Sequence, residues 1–289
     1  MSERQKLESP GGSTDIHQQL YTKISSKPTN QIPVVAYAQL AMSTTYLITG
    51  ANRGLGRGLT EAYLARPKST VVAAVRDTES SSTIALQNLS KGDGSNLIIV
   101  KIDSSSETDA QQAASLLQSK YNITSLDVVI ANAGISKIWP AVHEAKLEDI
   151  REHFEINVLG VVTLFKAVRS LLLNSTNTPK FITLGSNAGS IGDMEQVPVP
   201  NAAYGTSKAA LHWISKKIHQ ENPELVAFPV HPGFVQTEMG NTGAQAFGLE
   251  KAFITVEESV SGLVNVIDNA TREKSSGKFL FWDGTESTW

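Results

Sequence analysis

Apolar and polar positions along the chain change period repeatedly. Seven short runs are almost continuously apolar and rich in β-branched residues: TYLITG, TVVAAV, NLIIVKI, LDVVIANAG, KFITLGS, ELVAFPV and, near the end, KFLFW. Runs of this length without polar alternation suit strands covered on both faces, the condition of a parallel sheet. Between them lie longer stretches with apolar residues at helical spacing, such as LTEAYLA, ETDAQQAASLLQSKY and LEDIREHFEINVLGVVTLFKAVRSLL. Strand and helix alternating in this way predict an α/β fold, a single doubly wound Rossmann-type domain with a mostly parallel seven-stranded sheet.

The alternation starts only at Thr45. Residues 1–41 are rich in Ser, Gln, Pro and Thr, with one brief apolar patch, IPVVAYAQL. They cannot bury enough surface to fold alone and are expected to be a disordered N-terminal extension. A second methionine, Met42, stands just before the first strand, so the catalytic domain is expected over residues 42–289. No internal repeat or linker divides it.

Composition narrows the classes of function. The chain has 25 Lys and Arg against 28 Asp and Glu, a net charge of -3, and neither cation gathers into a run. Nucleic acid and anionic membrane are therefore not expected as partners. The absence of cysteine excludes disulfides, thiolate zinc sites and thiol nucleophiles, and the expected setting is reducing and cytoplasmic. The histidines show no metal-ligand spacing, so no metal is expected. Neither an apolar run of about 18 residues nor the apolar core of a signal peptide is present.

The stretch YLITGANRGLGRGL sets Gly50, Gly54 and Gly56 directly after the first strand and at the mouth of the first helix. Glycine lets the backbone turn sharply and approach a pyrophosphate, and the free N–H groups of a helix start hold its charge. The Gly-Lys-Ser/Thr ending of an NTPase loop is missing. Candidates for cofactor contact are thus Gly50, Asn52, Arg53, Gly54, Leu55 and Gly56. At the end of the second strand, VVAAVRDTES, an acid would favour NAD by accepting from the ribose hydroxyls, and an arginine would pair with the 2′-phosphate of NADP. Arg76 comes first and Asp77 second, with Arg53 within the glycine loop, a combination that favours NADP(H). Asp103, ending the third strand, either hydrogen-bonds the adenine or caps the following helix.

Tyr204 and Lys208 are four residues apart and, after Pro198 and Pro200, are predicted on the first turns of a helix, on one face. An ammonium near a phenol lowers its pKa by favouring the phenolate, which makes the pair an acid-base catalyst. Ser186 ends the strand KFITLGS, at the sheet edge where ligands bind, and its hydroxyl can reach a substrate carbonyl. Asn157 interrupts an apolar helix, which asks for a reason; a structural hydrogen bond is one.

These residues resemble the classical short-chain dehydrogenase/reductase family, from Thr45 to the end of the chain. Thr49-Gly50-x-x-x-Gly54-x-Gly56 is similar to its cofactor loop, Asn132-Ala133-Gly134 to its fourth-strand motif, and Tyr204-x-x-x-Lys208 to its catalytic pair. The resemblance implies that Ser186 polarises the carbonyl, Tyr204 donates the proton, Lys208 lowers the tyrosine pKa and holds the nicotinamide ribose, and Asn157 positions a water in the proton relay. It also implies that HPGFVQTEM supplies Pro232, Gly233, Val235 and Thr237 around the nicotinamide carboxamide. Pairing of the Asn157 and Tyr204 helices across subunits implies a homodimer or homotetramer. Two departures stand out: Ala131 replaces the first of two asparagines in the fourth-strand motif, and eighteen positions separate Ser186 from Tyr204, against about a dozen in many members.

Within the family the chain resembles fungal ketoreductases of the norsolorinic acid type, through GANRGLGRGL, RPKSTVVAAVRD, HPGFVQTEMGNTGAQ and SSGKFLFWDGTESTW. The expected activity is NADP(H)-dependent reduction of a small-molecule carbonyl, of aromatic or polyketide type. Alternatives are an NAD-dependent alcohol dehydrogenase and a non-catalytic NADP(H)-binding sensor or scaffold. Trp139, Met194, Met239 and Phe247 are expected either to line an apolar pocket or to anchor loops. The small residues from Gly240 to Gly248 suggest a mobile lid.

Overall fold

A computed structural model describes residues 43–289. The extension expected over residues 1–41 lies outside the described residues. Strand β1 (Thr44–Thr49) turns successive side chains to opposite faces, so Leu47 and Ile48 enter two different cores. Strands β2 (Ser69–Val75), β3 (Asn96–Lys101), β4 (Val128–Ala131), β5 (Lys180–Leu184), β6 (Val226–His231) and β7 (Phe279–Phe281) extend the sheet, all parallel.

On one face, Ile48, Val71, Ile130 and Phe228 pack against Leu59 and Tyr63 of α1 (Gly54–Leu64) and Leu263 and Ile267 of α7 (Val256–Asp268). On the other, Leu47, Val72, Val129 and Phe181 meet Leu117 of α2 (Asp109–Tyr121), Leu164 and Leu171 of α4 (Gly160–Leu173), and Leu211 of α5 (Ala202–Glu221). Each fully buried Leu or Ile contributes about 1.5–3 kcal/mol, which is why β-branched strands without polar alternation settle here.

Helix α3 (Leu147–Phe154) runs through a π-helical turn, Glu155–Leu159, into α4. The whole Leu147–Leu173 helix is long and apolar enough to cross a membrane by length and composition. Its Val161, Leu164, Val168 and Leu171 are instead buried in the second core.

The sheet has eight strands rather than the expected seven. After β7 the chain turns at Gly284 (φ 89°) and adds β8 (Glu286–Ser287), antiparallel to β7. The order is β3-β2-β1-β4-β5-β6-β7-β8. Chain order reverses between β1 and β4, and at such a switch point the loops diverge and open a crevice beyond the carboxyl ends of the strands. The loops after β1, β4, β5 and β6 all leave at that edge.

Candidate active site

The glycine loop is shaped by close approach. Gly50 (φ 63°) and Gly54 (φ 51°) adopt the left-handed region, and a Cβ on Gly56 would lie 2.1 Å from the Gly50 carbonyl oxygen. No other residue type fits at Gly56, so α1 starts against the loop with its N–H groups facing the crevice. This is a cradle for a phosphate group. Asn132 braces it from β4: its amide donates to the carbonyls of Thr49 (2.7 Å) and Gly50 (3.3 Å). The Thr49 hydroxyl accepts the backbone N–H groups of both Asn132 and Ala133, each at 3.0 Å. The Asn132 side chain, expected among the cofactor contacts, thus fastens the loop that would make them.

Toward the far side of the crevice, Arg76 and Asp103 line one cavity of about 440 Å³ with Ser105, Arg151 and Glu155. Asp77 turns its Oδ1 to the backbone N–H of Glu79 (2.9 Å), capping its own turn. Asp103 Oδ1 accepts from both the backbone and the hydroxyl of Ser105. The Asn52 amide donates to the Ser82 hydroxyl at 2.8 Å. Arg53 pairs with Glu238 at 2.8 Å, with side chains 67% and 79% exposed. A pair this exposed is worth about 1 kcal/mol at most, so the guanidinium stays available to a stronger anion.

The chemical residues come together around Gly134. A Cβ there would lie 3.0 Å from Asn157 Oδ1 and 3.8 Å from Lys208 Nζ. Asn157 sits in the π-helical turn, where the widened backbone aims its amide sideways. It accepts the N–H of Ile135 (2.8 Å) and donates to the Ile135 carbonyl (2.9 Å) and to the Ser207 hydroxyl (3.0 Å). Ser207 in turn donates to the Tyr204 carbonyl at 2.7 Å. Lys208 Nζ donates to the Leu184 carbonyl at 2.7 Å and lies 5.6 Å from the Tyr204 ring centroid. Asn201 caps α5 by accepting the Gly205 N–H at 3.2 Å.

Ser186 follows β5, and its hydroxyl lies near enough to the Tyr204 phenol to favour the phenolate. The turn Asn187–Gly189 then packs on α5 so closely that a Cβ on Gly189 would lie 2.6 Å from Lys208 Cβ. The eighteen-residue spacing between Ser186 and Tyr204 therefore still lets the turn after Ser186 pack against the start of the tyrosine helix. The electrostatics differ from the expected simple pair. Burial pushes the Tyr204 phenol above its ordinary 10, while the Ser186 hydroxyl pulls it down. Burial also lowers Lys208 to about 8.

Beyond β6, Gly233 (φ 87°) turns the chain, and buried Val235 forms a parallel bridge with Ile254. Thr237 caps α6 (Glu238–Ala246) by accepting the Gly240 N–H at 3.1 Å, and its methyl lies 3.2 Å from where a Cβ on Gly54 would be. The segment expected as a lid is thus largely a capped helix beside the glycine loop. Trp139 and Phe247 meet edge to face at 5.6 Å, whereas Met194 is 61% exposed.

Three histidines outside the expected set hold backbone at this edge. His153 Nε2 accepts the Lys137 N–H (3.2 Å), with its ring 6.5 Å from Tyr204 centroid to centroid. His212 Nε2 accepts the N–H of Ser186 (3.2 Å), and His231 Nδ1 that of Asn187 (3.3 Å). No sequence pattern marks them, because their partners are main-chain groups of remote loops.

A glycine cradle at the switch point, facing a Ser-Tyr-Lys cluster, defines a nucleotide-dependent oxidoreductase architecture. A sequence profile described as short chain dehydrogenase matches residues 44–246, and the chain belongs to that family. It is 43% identical over 249 residues to a norsolorinic acid ketoreductase of Dothistroma septosporum, covering 85% of this chain and 92% of the relative. A norsolorinic acid ketoreductase of Aspergillus parasiticus is also 43% identical, over 248 residues, 85% of this chain and 91% of the relative. Among solved structures, an NADPH-bound carbonyl reductase from chicken fatty liver superposes with a TM-score of 0.76 at 29% identity, covering 86% of this chain and all of that one.

Proposed function

We propose that residues 42–289 form an NADP(H)-dependent carbonyl reductase acting on a ketone or aldehyde of aromatic, polyketide type, with Tyr204 as general acid. The observation that carries this reading is the gathering of Asn157 and Lys208 around Gly134, with the Tyr204 ring 5.6 Å from Lys208 Nζ and Ser186 close to its phenol, facing the glycine cradle. The cradle fits the cofactor's pyrophosphate: only glycine is accommodated at position 56, and α1 starts there. Arg76 and Arg53 would hold the 2′-phosphate, since Asp77 is committed to its own turn. Val235 and Thr237 would border the nicotinamide, which supplies the hydride when bound.

The residues of the chain then handle the proton. Ser186 hydrogen-bonds the carbonyl oxygen and polarises it. Tyr204, kept protonated by burial, delivers its phenolic proton to that oxygen as the carbon is reduced. The phenolate left behind is stabilised by the Lys208 ammonium, and Asn157 holds the relay that restores the proton. Exposed Val142, Ile191, Met194 and Phe253 on loops at this edge suit a large apolar substrate. Leu159 and Trp213, exposed near and on the paired helices, suit a homo-oligomeric contact.

Tyr204→Phe tests the reading. Turnover of aryl ketones should fall by about 10²–10⁴-fold, with NADPH affinity unchanged in a fluorescence titration; an undiminished rate overturns the mechanism. Arg76→Ala should weaken NADPH by about 10–100-fold and leave NADH unaffected. Tighter binding of NADH than NADPH to the unaltered protein would instead favour the alcohol dehydrogenase.

A further inference from the structure

The segment after β7 reaches back to the substrate side of the site. The Ser190 hydroxyl donates to the Thr288 carbonyl (3.0 Å), the Gly192 N–H to the Trp289 carbonyl oxygen (2.7 Å), and the Ser287 hydroxyl to Asp193 Oδ2 (2.9 Å). These bonds tie the long loop between Ser186 and Tyr204 to residues 287–289. They also fix the Trp289 indole. Its ring lies 6.2 Å from the His212 ring at 75° and 6.2 Å from Phe279, with Lys216 Nζ 4.4 Å above it.

His212 is therefore enclosed. Phe279 lies 4.2 Å from it on one side, Trp289 flanks it on another, and Nε2 points at the strand end, where a Cβ on Gly185 would be 2.7 Å away. Since Nε2 accepts the Ser186 N–H, the ring's proton is on Nδ1. That nitrogen is buried without a hydrogen-bond partner among the described residues. An apolar ring would fill this aromatic pocket without stranding a polar atom, so the imidazole is explained by what Nε2 does. The charged and titratable neighbours, Lys208 and His231, and burial all keep the ring neutral, at about 3.

We propose that His212 and Trp289 are positioning residues for the reduction: Trp289 wedges the imidazole, and the imidazole holds the Ser186 backbone so that its hydroxyl stays directed at the substrate carbonyl beside Tyr204. The proposal rests on the carbonyl reductase reading above and adds a route by which the last residues of the described chain set the rate of chemistry.

The test compares His212→Phe with His212→Gln, whose amide oxygen can again accept the Ser186 N–H. His212→Phe should lower kcat by about 10–100-fold, with NADPH affinity within about 2-fold and melting temperature preserved. His212→Gln should recover kcat to within about 5-fold of the original. Trp289→Ala should lower kcat several-fold, and in a His212→Phe background should lower it no further. Unchanged kcat in His212→Phe, equal loss in Phe and Gln variants, or additive loss in the double variant would each overturn the proposal. Tyr204→Phe run alongside separates the two levels. If it is inactive while the His212 variants keep full rate, only the positioning role fails; if it stays active, the underlying reading fails.

Discussion

The two sides of the crevice are built by different means. On the cofactor side close main-chain approach and two neutral side chains build the support: a Cβ on Gly56 would strike the Gly50 carbonyl, one on Gly54 would press on Thr237, and the Thr49 hydroxyl and Asn132 amide tie the β1 and β4 loops together. On the substrate side the loops are longer and are held by imidazole rings, His153, His212 and His231, that reach across from other elements. This cradle has no titratable part, so it tolerates changes of pH but not of volume. A ring-supported loop tolerates small changes of volume, because side chains can adjust, but depends on each ring staying neutral. The contrast suits a protein that binds one constant ligand on one side and a variable one on the other.

The largest effect should come from adding one methyl to the rigid side. In Gly56→Ala the new Cβ would press against the Gly50 carbonyl at 2.1 Å and the Asn132 amide at 2.6 Å. NADPH affinity by fluorescence titration should drop by about 100-fold or more, on the order of 3 kcal/mol, and retention of affinity would show that the cradle is softer than it looks. The second effect probes the chemistry between the two sides. Lys208, lowered by burial to about 8, loses its charge above that pH. The reduction rate at saturating cofactor should therefore decline above pH 8, by up to about tenfold per unit, and a flat profile to pH 10 would remove the ammonium from the mechanism.

The third works on the ring-supported side. Burial holds His231 at about 4, below the ordinary 6.5, with Lys208 lowering it further and Asp283 acting oppositely. The unfolded chain then binds more protons than the folded one between those values, so stability is complete above pH 6.5 and is lost as pH falls toward 4. The His231 share of this linkage should lower the melting temperature by roughly 5–10 °C between pH 7 and pH 4.5, and in calorimetry His231→Gln should remove that share of the slope while leaving the share of His212, which burial holds at about 3. The smallest effect belongs to the one ion pair that joins the β1 loop to α6. Glu238→Gln should change stability by less than about 1 kcal/mol and leave the Arg53 side free to bind the cofactor at least as tightly.

The fold was legible because β-branched runs announce β1 to β7 directly. Strand β8 was not, since Glu286 and Ser287 are polar and pair only because Asp283 Oδ1 binds the Thr285 N–H and hydroxyl and Gly284 turns the chain back. The small residues of α6 resemble a loop in composition, and the helix depends on the Thr237 cap and on contact with Trp139 at Gly243. Ser186 could be picked out from a strand end, Tyr204 and Lys208 from helix spacing and Asn157 from the resemblance, and the structure brings Asn157 and Lys208 together around Gly134. Their supports could not. Ser207, between Tyr204 and Lys208, links Asn157 to the tyrosine turn. The histidines bind main-chain groups 16, 26 and 44 positions away, contacts that carry no residue-type signature at either end.

Strand β8 also affects how these molecules meet one another in a crowded solution. Without it, the apolar FLF edge of β7 would offer a row of unpaired backbone groups to any neighbouring chain. Two polar residues cover that row, and Glu286 draws Lys278 beside it at 2.9 Å. The opposite margin, β3, carries exposed Asn96 and Lys101 at its two ends. Both rims of the sheet thus finish on short or charged borders that resist templated aggregation.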